Sequence, residues 1–78
     1  MKRKPVESSM ISSVGYDPIA NVLEIEFNSG GVYQYGEVSE ETYRELMHAE
    51  SKGRYMLDHI TDQYPYVRIR RTSRPNWR

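Results

Sequence analysis

The sequence has no cysteine, two histidines, one phenylalanine and one tryptophan among 78 residues. Without cysteine there are no disulfides and no thiolate metal ligands, which fits a reducing cytoplasm. Zinc needs three or four ligands. The best partial set is His59 with Asp58 and Asp62, but on a helix Asp58 points about 100° away from His59. These residues read as solvent-facing polar groups, and no metal or cofactor is expected. No apolar run approaches a membrane span. The basic start, Met1-Lys2-Arg3-Lys4-Pro5, is not followed by the apolar core of a signal peptide. A soluble, cytoplasmic chain with no membrane partner is expected.

Catalytic constellations are also missing. There is no Gly-x-Ser-x-Gly elbow and no Cys–His pair, and Gly30-Gly31 lacks the spacing and lysine of a phosphate-binding loop. Glu24 and Glu26 would stand about 7 Å apart on one strand face. Nothing apolar beside them in sequence suggests the raised pKa of a general acid, so they read as solubilising groups on a wet face. The chain is read as non-catalytic.

A chain of this length makes one domain with little room for an enclosed pocket. A groove or flat face is the expected kind of site. The net charge of zero hides a segregation: residues 1–4 carry +3, residues 65–78 carry +5 with no acid, and residues 5–64 carry −8. That is the pattern of an acidic body with basic interaction tails, or of tails folded against that body.

The periodicity predicts an α+β fold: a three-stranded antiparallel meander followed by two short helices, with a possible short C-terminal edge strand. Residues 1–9 read as a flexible lead. Val14 and Tyr16 share a face of a first strand over 11–16, and Asp17-Pro18 marks a turn. Leu23, Ile25 and Phe27 alternate with Val22, Glu24 and Glu26. Asn28-Ser29-Gly30-Gly31 reads as a hairpin loop, and residues 32–35 return as a strand. Ser39 is a helix cap followed by Glu40 and Glu41 in the first turn, with Val38 and Tyr43 placed as a hydrophobic staple. This predicts a helix over 40–49 with Tyr43, Leu46 and Met47 facing the core. A second helix after Ser51-Lys52-Gly53 puts Met56 and Ile60 on one face, and likewise Tyr55 and His59. Pro65 ends it by about residue 63. Residues 66–71 read as an edge strand or an extended arm. The domain spans 10–70, and 71–78 is a basic tail of disordered composition.

Tyrosine is the abundant aromatic, with seven copies. Tyr33 and Tyr35 project from one strand face. On the inner face they supply core area, and on the outer face they form a stacking platform. Tyr64 and Tyr66 flank Pro65 and run into Arg68, Arg70 and Arg71. Rings beside guanidinium groups suit single-stranded nucleic acid, with bases on the rings and phosphates on the arginines. The alternative is that these tyrosines pin the C-terminal segment to the helices. Lys52-Gly53-Arg54 at a helix start combines free amides with two cations, which favours an anion. The candidate nucleic-acid-binding set is Tyr33, Tyr35, Lys52, Arg54, Tyr55, Tyr66, Arg68, Arg70 and Arg71. A protein partner is the alternative, because tyrosine and arginine also dominate protein hot spots.

Several pieces of the sequence, in order, resemble the KTSC domain, named for its occurrence at the C-terminus of some lysyl-tRNA synthetases. They are Ser13-Val14-Gly15-Tyr16-Asp17, Leu23-Glu24-Ile25-Glu26-Phe27, Tyr33-Gln34-Tyr35, Ser51-Lys52-Gly53-Arg54-Tyr55 and Tyr64-Pro65-Tyr66. The resemblance covers about residues 8–70, and Tyr33-Gln34-Tyr35 fits the family's Y-x-Y motif. It implies no catalytic activity. It implies RNA binding only by association with tRNA synthetases. Gly36 stands where relatives often carry a bulky residue.

Overall fold

The computed structural model describes residues 2–71, and side chains as far as Ile69. Five strands form one antiparallel sheet in the order β1-β2-β3-β4-β5. They are β1 (Lys4–Pro5), β2 (Ile11–Asp17), β3 (Val22–Phe27), β4 (Gly31–Tyr35) and β5 (Tyr66–Arg71). Between β4 and β5 run α1 (Glu40–His48) and α2 (Lys52–His59). The expected meander, two helices and C-terminal edge strand are all present.

The turns form for local reasons. Asp17 closes the β2–β3 connection by accepting the amides of Ile19 and Ala20 at 2.9 and 3.2 Å. The β3–β4 hairpin turns through Gly30 at φ 109°, a conformation that disfavours a side chain. Ser39 caps α1 by accepting from the Thr42 amide at 3.2 Å. Ser51 caps α2 in the same way, from the Arg54 amide at 3.2 Å. Helix α2 therefore starts at Lys52, inside the Ser-Lys-Gly stretch that sequence reading placed before it.

Apolar alternation buries Val14, Leu23, Ile25 and Tyr35 on the helix-facing side of the sheet, packed against Val38, Leu46, Met56 and Ile60. Ile11 also reaches this core, three positions from Val14, because β2 shifts register between Ile11 and Ser13. A bulge inserts one residue and so changes which side chains point inward.

Three expectations need correction. The lead over 1–9 contains a strand: Lys4 pairs with Val14 and Pro5 with Ser13, and Val6 packs against the core. The reason lies on the far face of the sheet. Glu24, read as a wet solubilising group, is 4% exposed. Arg3 ion-pairs with Glu24, donates from Nε to Ser13 Oγ at 2.9 Å, and lies 3.9 Å from Glu26. Gln34 Nε2 donates to Glu24 Oε1 at 2.9 Å, and Ser13 Oγ donates to Glu26 Oε1 at 2.6 Å. A buried carboxylate must be compensated, and the N-terminal segment supplies the cation. At the other end, Arg71 belongs to β5. The rest of the expected basic tail, 72–78, lies outside the described residues.

Candidate functional site

Strand β4 presents Tyr33 and Tyr35 on the helix-facing side, as their spacing requires. Pairing with β5 then sets Tyr66 opposite Tyr35 and Arg68 opposite Tyr33. The three tyrosines form a continuous aromatic wall. Ring centroids are 6.4 Å apart for Tyr33–Tyr35 and 5.6 Å for both Tyr33–Tyr66 and Tyr35–Tyr66. Phe27 meets Tyr33 edge-on at 5.6 Å. Burial is graded along the wall: Tyr35 is in the core, Tyr33 is half-buried and Tyr66 is 56% exposed. Both readings of the tyrosine face therefore hold, with core at one end and an accessible ring at the other.

The Arg68 guanidinium lies 6.0 Å from the Tyr33 ring centroid, within cation–π range. Among the described residues no carboxylate stands within ion-pair distance of it. A second register shift, between Val32 and Tyr33, places Arg70 opposite Val32 and Arg71 opposite Gly31. The wall borders an open cleft of about 350 Å³, completed by Ser29 of the β3–β4 hairpin and by Thr61 and Asp62 just beyond α2. Tyr66 also borders a shallow apolar groove of about 240 Å³ with Val22, Gln34, Gly36, Pro65 and Val67.

The structure thus brings together Tyr33, Tyr35, Tyr66 and Arg68. It does not bring Lys52, Arg54 and Tyr55 to the cleft. Lys52 Nζ donates to the Ala49 carbonyl at 3.3 Å. Arg54 pairs with Asp58 at 3.2 Å, one helical turn on. Tyr55 donates to Glu45 Oε1 at 2.8 Å and packs on His59 at 4.5 Å. Lys52 and Arg54 also open α2, about 12 Å of helix away from the end that meets the cleft. Ser29, Thr61 and Asp62 were not singled out as site residues. Each sits just past an element boundary, and no sequence periodicity says which loops will meet. Among the described residues no group of three His, Asp or Glu is placed to hold a metal ion.

Burial pushes the Tyr35 hydroxyl up from 10 to about 12, with Tyr33 and Tyr66 adding to the effect. Tyr55 is also pushed up to about 12, first by burial and then by its hydrogen bond to Glu45. A tyrosine whose pKa is raised on folding holds its proton more tightly in the folded state. Its stabilisation is complete below pH 10 and is lost as pH rises through about 12. The expected outcome is cooperative unfolding by circular dichroism inside that window, coincident with the slow rise of tyrosinate absorbance. Replacing Tyr35 and Tyr55 by Phe together should move the transition to higher pH. An unmoved transition would show that other groups govern alkaline unfolding.

A small antiparallel sheet with two helices on one face and an aromatic cleft beside its last strand defines a small α+β domain with a concave, tyrosine-lined site. The chain belongs to the KTSC domain family, whose model matches residues 7–64. It is 43% identical over 70 residues to an uncharacterized protein of Stutzerimonas stutzeri, covering 88% of this chain and 99% of that one. A lysine–tRNA ligase of a Nostoc species is 36% identical over 63 residues, which are 81% of this chain and 11% of the ligase. The crystal structure of a KTSC domain protein from Yersinia pestis superposes with a TM-score of 0.86 at 43% identity, covering 87% of this chain and 96% of that one. Among the described residues no helix is long and apolar enough to cross a membrane.

Proposed function

We propose that the domain is a non-catalytic cytoplasmic module that binds single-stranded RNA in the tyrosine cleft. The observation that carries this reading is the wall of Tyr33, Tyr35 and Tyr66 with Arg68, unpaired among the described residues, lying on it. Clustered aromatic rings beside a guanidinium supply the two terms of single-strand binding, base stacking and phosphate neutralisation. Arg70 and Arg71 follow in the same strand. Part of the acidic body is neutralised internally: Glu24 and Glu26 by Arg3, Glu40 by Arg44, and Asp58 by Arg54. The similarity to a segment of lysine–tRNA ligases, enzymes named for a tRNA, is consistent with this reading.

Fluorescence anisotropy with a labelled, U-rich octaribonucleotide tests this reading. Binding is expected at low salt. Arginines of β5 releasing counterions from a single strand give a slope in log K against log salt between about −0.7 for Arg68 alone and about −2 for all three. No binding at low salt would end the proposal. A second reading, a protein-interaction module, is favoured by β5. It is an outer strand of the sheet, and Val67 and Ile69 are exposed on it, so it offers backbone groups to an added strand. A stoichiometric protein partner isolated without nucleic acid would favour that reading.

A further inference from the structure

A purely phosphate-binding and stacking cleft leaves one feature unexplained, which is the carboxylate of Asp62 on its wall. An acid there repels phosphate. Asp62 is exposed, and among the described residues no ion pair or side-chain hydrogen bond engages it. Ser29 and Thr61 also line the cleft, and their side-chain hydroxyls make no hydrogen bond among the described residues. The cleft therefore has an aromatic wall and three polar groups beside it, one of them anionic.

An aromatic wall with an acid nearby could also suggest a cage for a cationic ligand. The spacing argues against it. The tyrosine centroids lie 5.6 to 6.4 Å apart as neighbours along one wall, so the rings do not stand as opposed walls about 7 Å apart with a ligand between. A planar group laid flat on the exposed ring of Tyr66, with the Tyr33 ring inclined at 51° beside it, fits this surface better.

We infer that the cleft prefers guanine among the four bases, with Asp62 accepting from its Watson–Crick edge; this rests on the RNA reading above. A carboxylate only accepts hydrogen bonds. Guanine alone presents two adjacent donors on that edge, N1–H and the N2 amino group, spaced for the two oxygens of one carboxylate. Adenine and cytosine each set a ring lone pair beside a single amino donor. Uracil flanks its one N3–H with two carbonyl oxygens. Each of the three therefore turns a lone pair toward Asp62. Ser29 and Thr61 hydroxyls, which can donate, suit guanine O6. Recognition through the Watson–Crick edge also requires an unpaired base, so a duplex is excluded.

The test uses the full chain and four octaribonucleotides, all uridine or with one central guanosine, adenosine or cytidine, measured by anisotropy at low salt. The guanosine oligonucleotide is expected to bind about fivefold to a hundredfold tighter than the other three, the usual worth of one bidentate contact. Asp62→Asn, a substitution at an exposed side chain, should reduce that preference below about twofold. Equal affinity for all four oligonucleotides, or a guanine preference that survives Asp62→Asn, overturns the base assignment while leaving RNA binding in place. Absence of binding to any of the four removes the RNA reading itself, and this inference with it.

Discussion

Replacing Arg3 by Ala is expected to lower the unfolding free energy by about 2–3 kcal/mol, a magnitude between an exposed and a fully buried ion pair. Its partner Glu24 has a side chain 6% exposed, whereas the Arg3 side chain is 29% exposed, so the upper end for fully buried pairs does not apply. The loss has two parts. Glu24 keeps its bond from Gln34 but loses its cation. Strand β1, only two residues long, also loses the side chain that ties it across β2 to β3. Urea unfolding at neutral pH should show a lower midpoint. Adding Glu24→Gln to Arg3→Ala should recover about 1 kcal/mol or more, because the buried group is then neutral and Gln34 can still pair with it. A change below about 0.5 kcal/mol for Arg3→Ala would mean that water serves Glu24 as well as the guanidinium does.

The same network marks where the sequence was legible and where it was not. Alternation identified Leu23, Ile25 and Phe27 as the inner face of β3, and the cap and first-turn acids located α1, because both signals act within a few residues. Helix α2 was found by Met56 and Ile60, both of which are fully buried. The N-terminal strand was invisible because two residues carry no period. Its cause, a carboxylate ten positions from its Gln34 partner and twenty-one from Arg3, is wholly tertiary. The two bulges had the same effect. Val67 and Ile69 alternate with Arg68 and Arg70 in sequence, yet the register shift in β4–β5 pairs Arg68 with Tyr33 and Arg70 with Val32. At the site, Tyr33, Tyr35, Tyr66 and Arg68 could be nominated by composition. Ser29, Thr61 and Asp62 come from a hairpin and a helix end, and only the closing of the fold brings them to the cleft. Lys52 and Arg54 are proposed for their place at a helix start, and Tyr55 follows them in the chain. Local partners one turn away, or on α1, hold Arg54 and Tyr55 instead.

Tyr66 is the position where binding and folding separate, and Tyr66→Ala is expected to weaken binding to the U-rich octaribonucleotide by about tenfold to a hundredfold. This corresponds to about 1–3 kcal/mol for one base–aromatic stack. The ring is 56% exposed, so truncation removes less buried area than at any core tyrosine, and unfolding should shift by no more than about 1 kcal/mol. Tyr35→Ala is the contrasting case. That ring is 4% exposed and packed in the core, so its loss should cost about 3 kcal/mol or more of stability, and any binding defect would be uninterpretable. Arg68→Gln separates the second term. It should flatten the salt dependence by about 0.7 in slope, whereas Tyr66→Ala should leave the slope unchanged. If Tyr66→Ala binds as the parent does while remaining folded, base stacking does not occur on this wall. The arginines of β5 would then act as a charged edge alone, the arrangement expected of a strand that takes up an acidic protein segment.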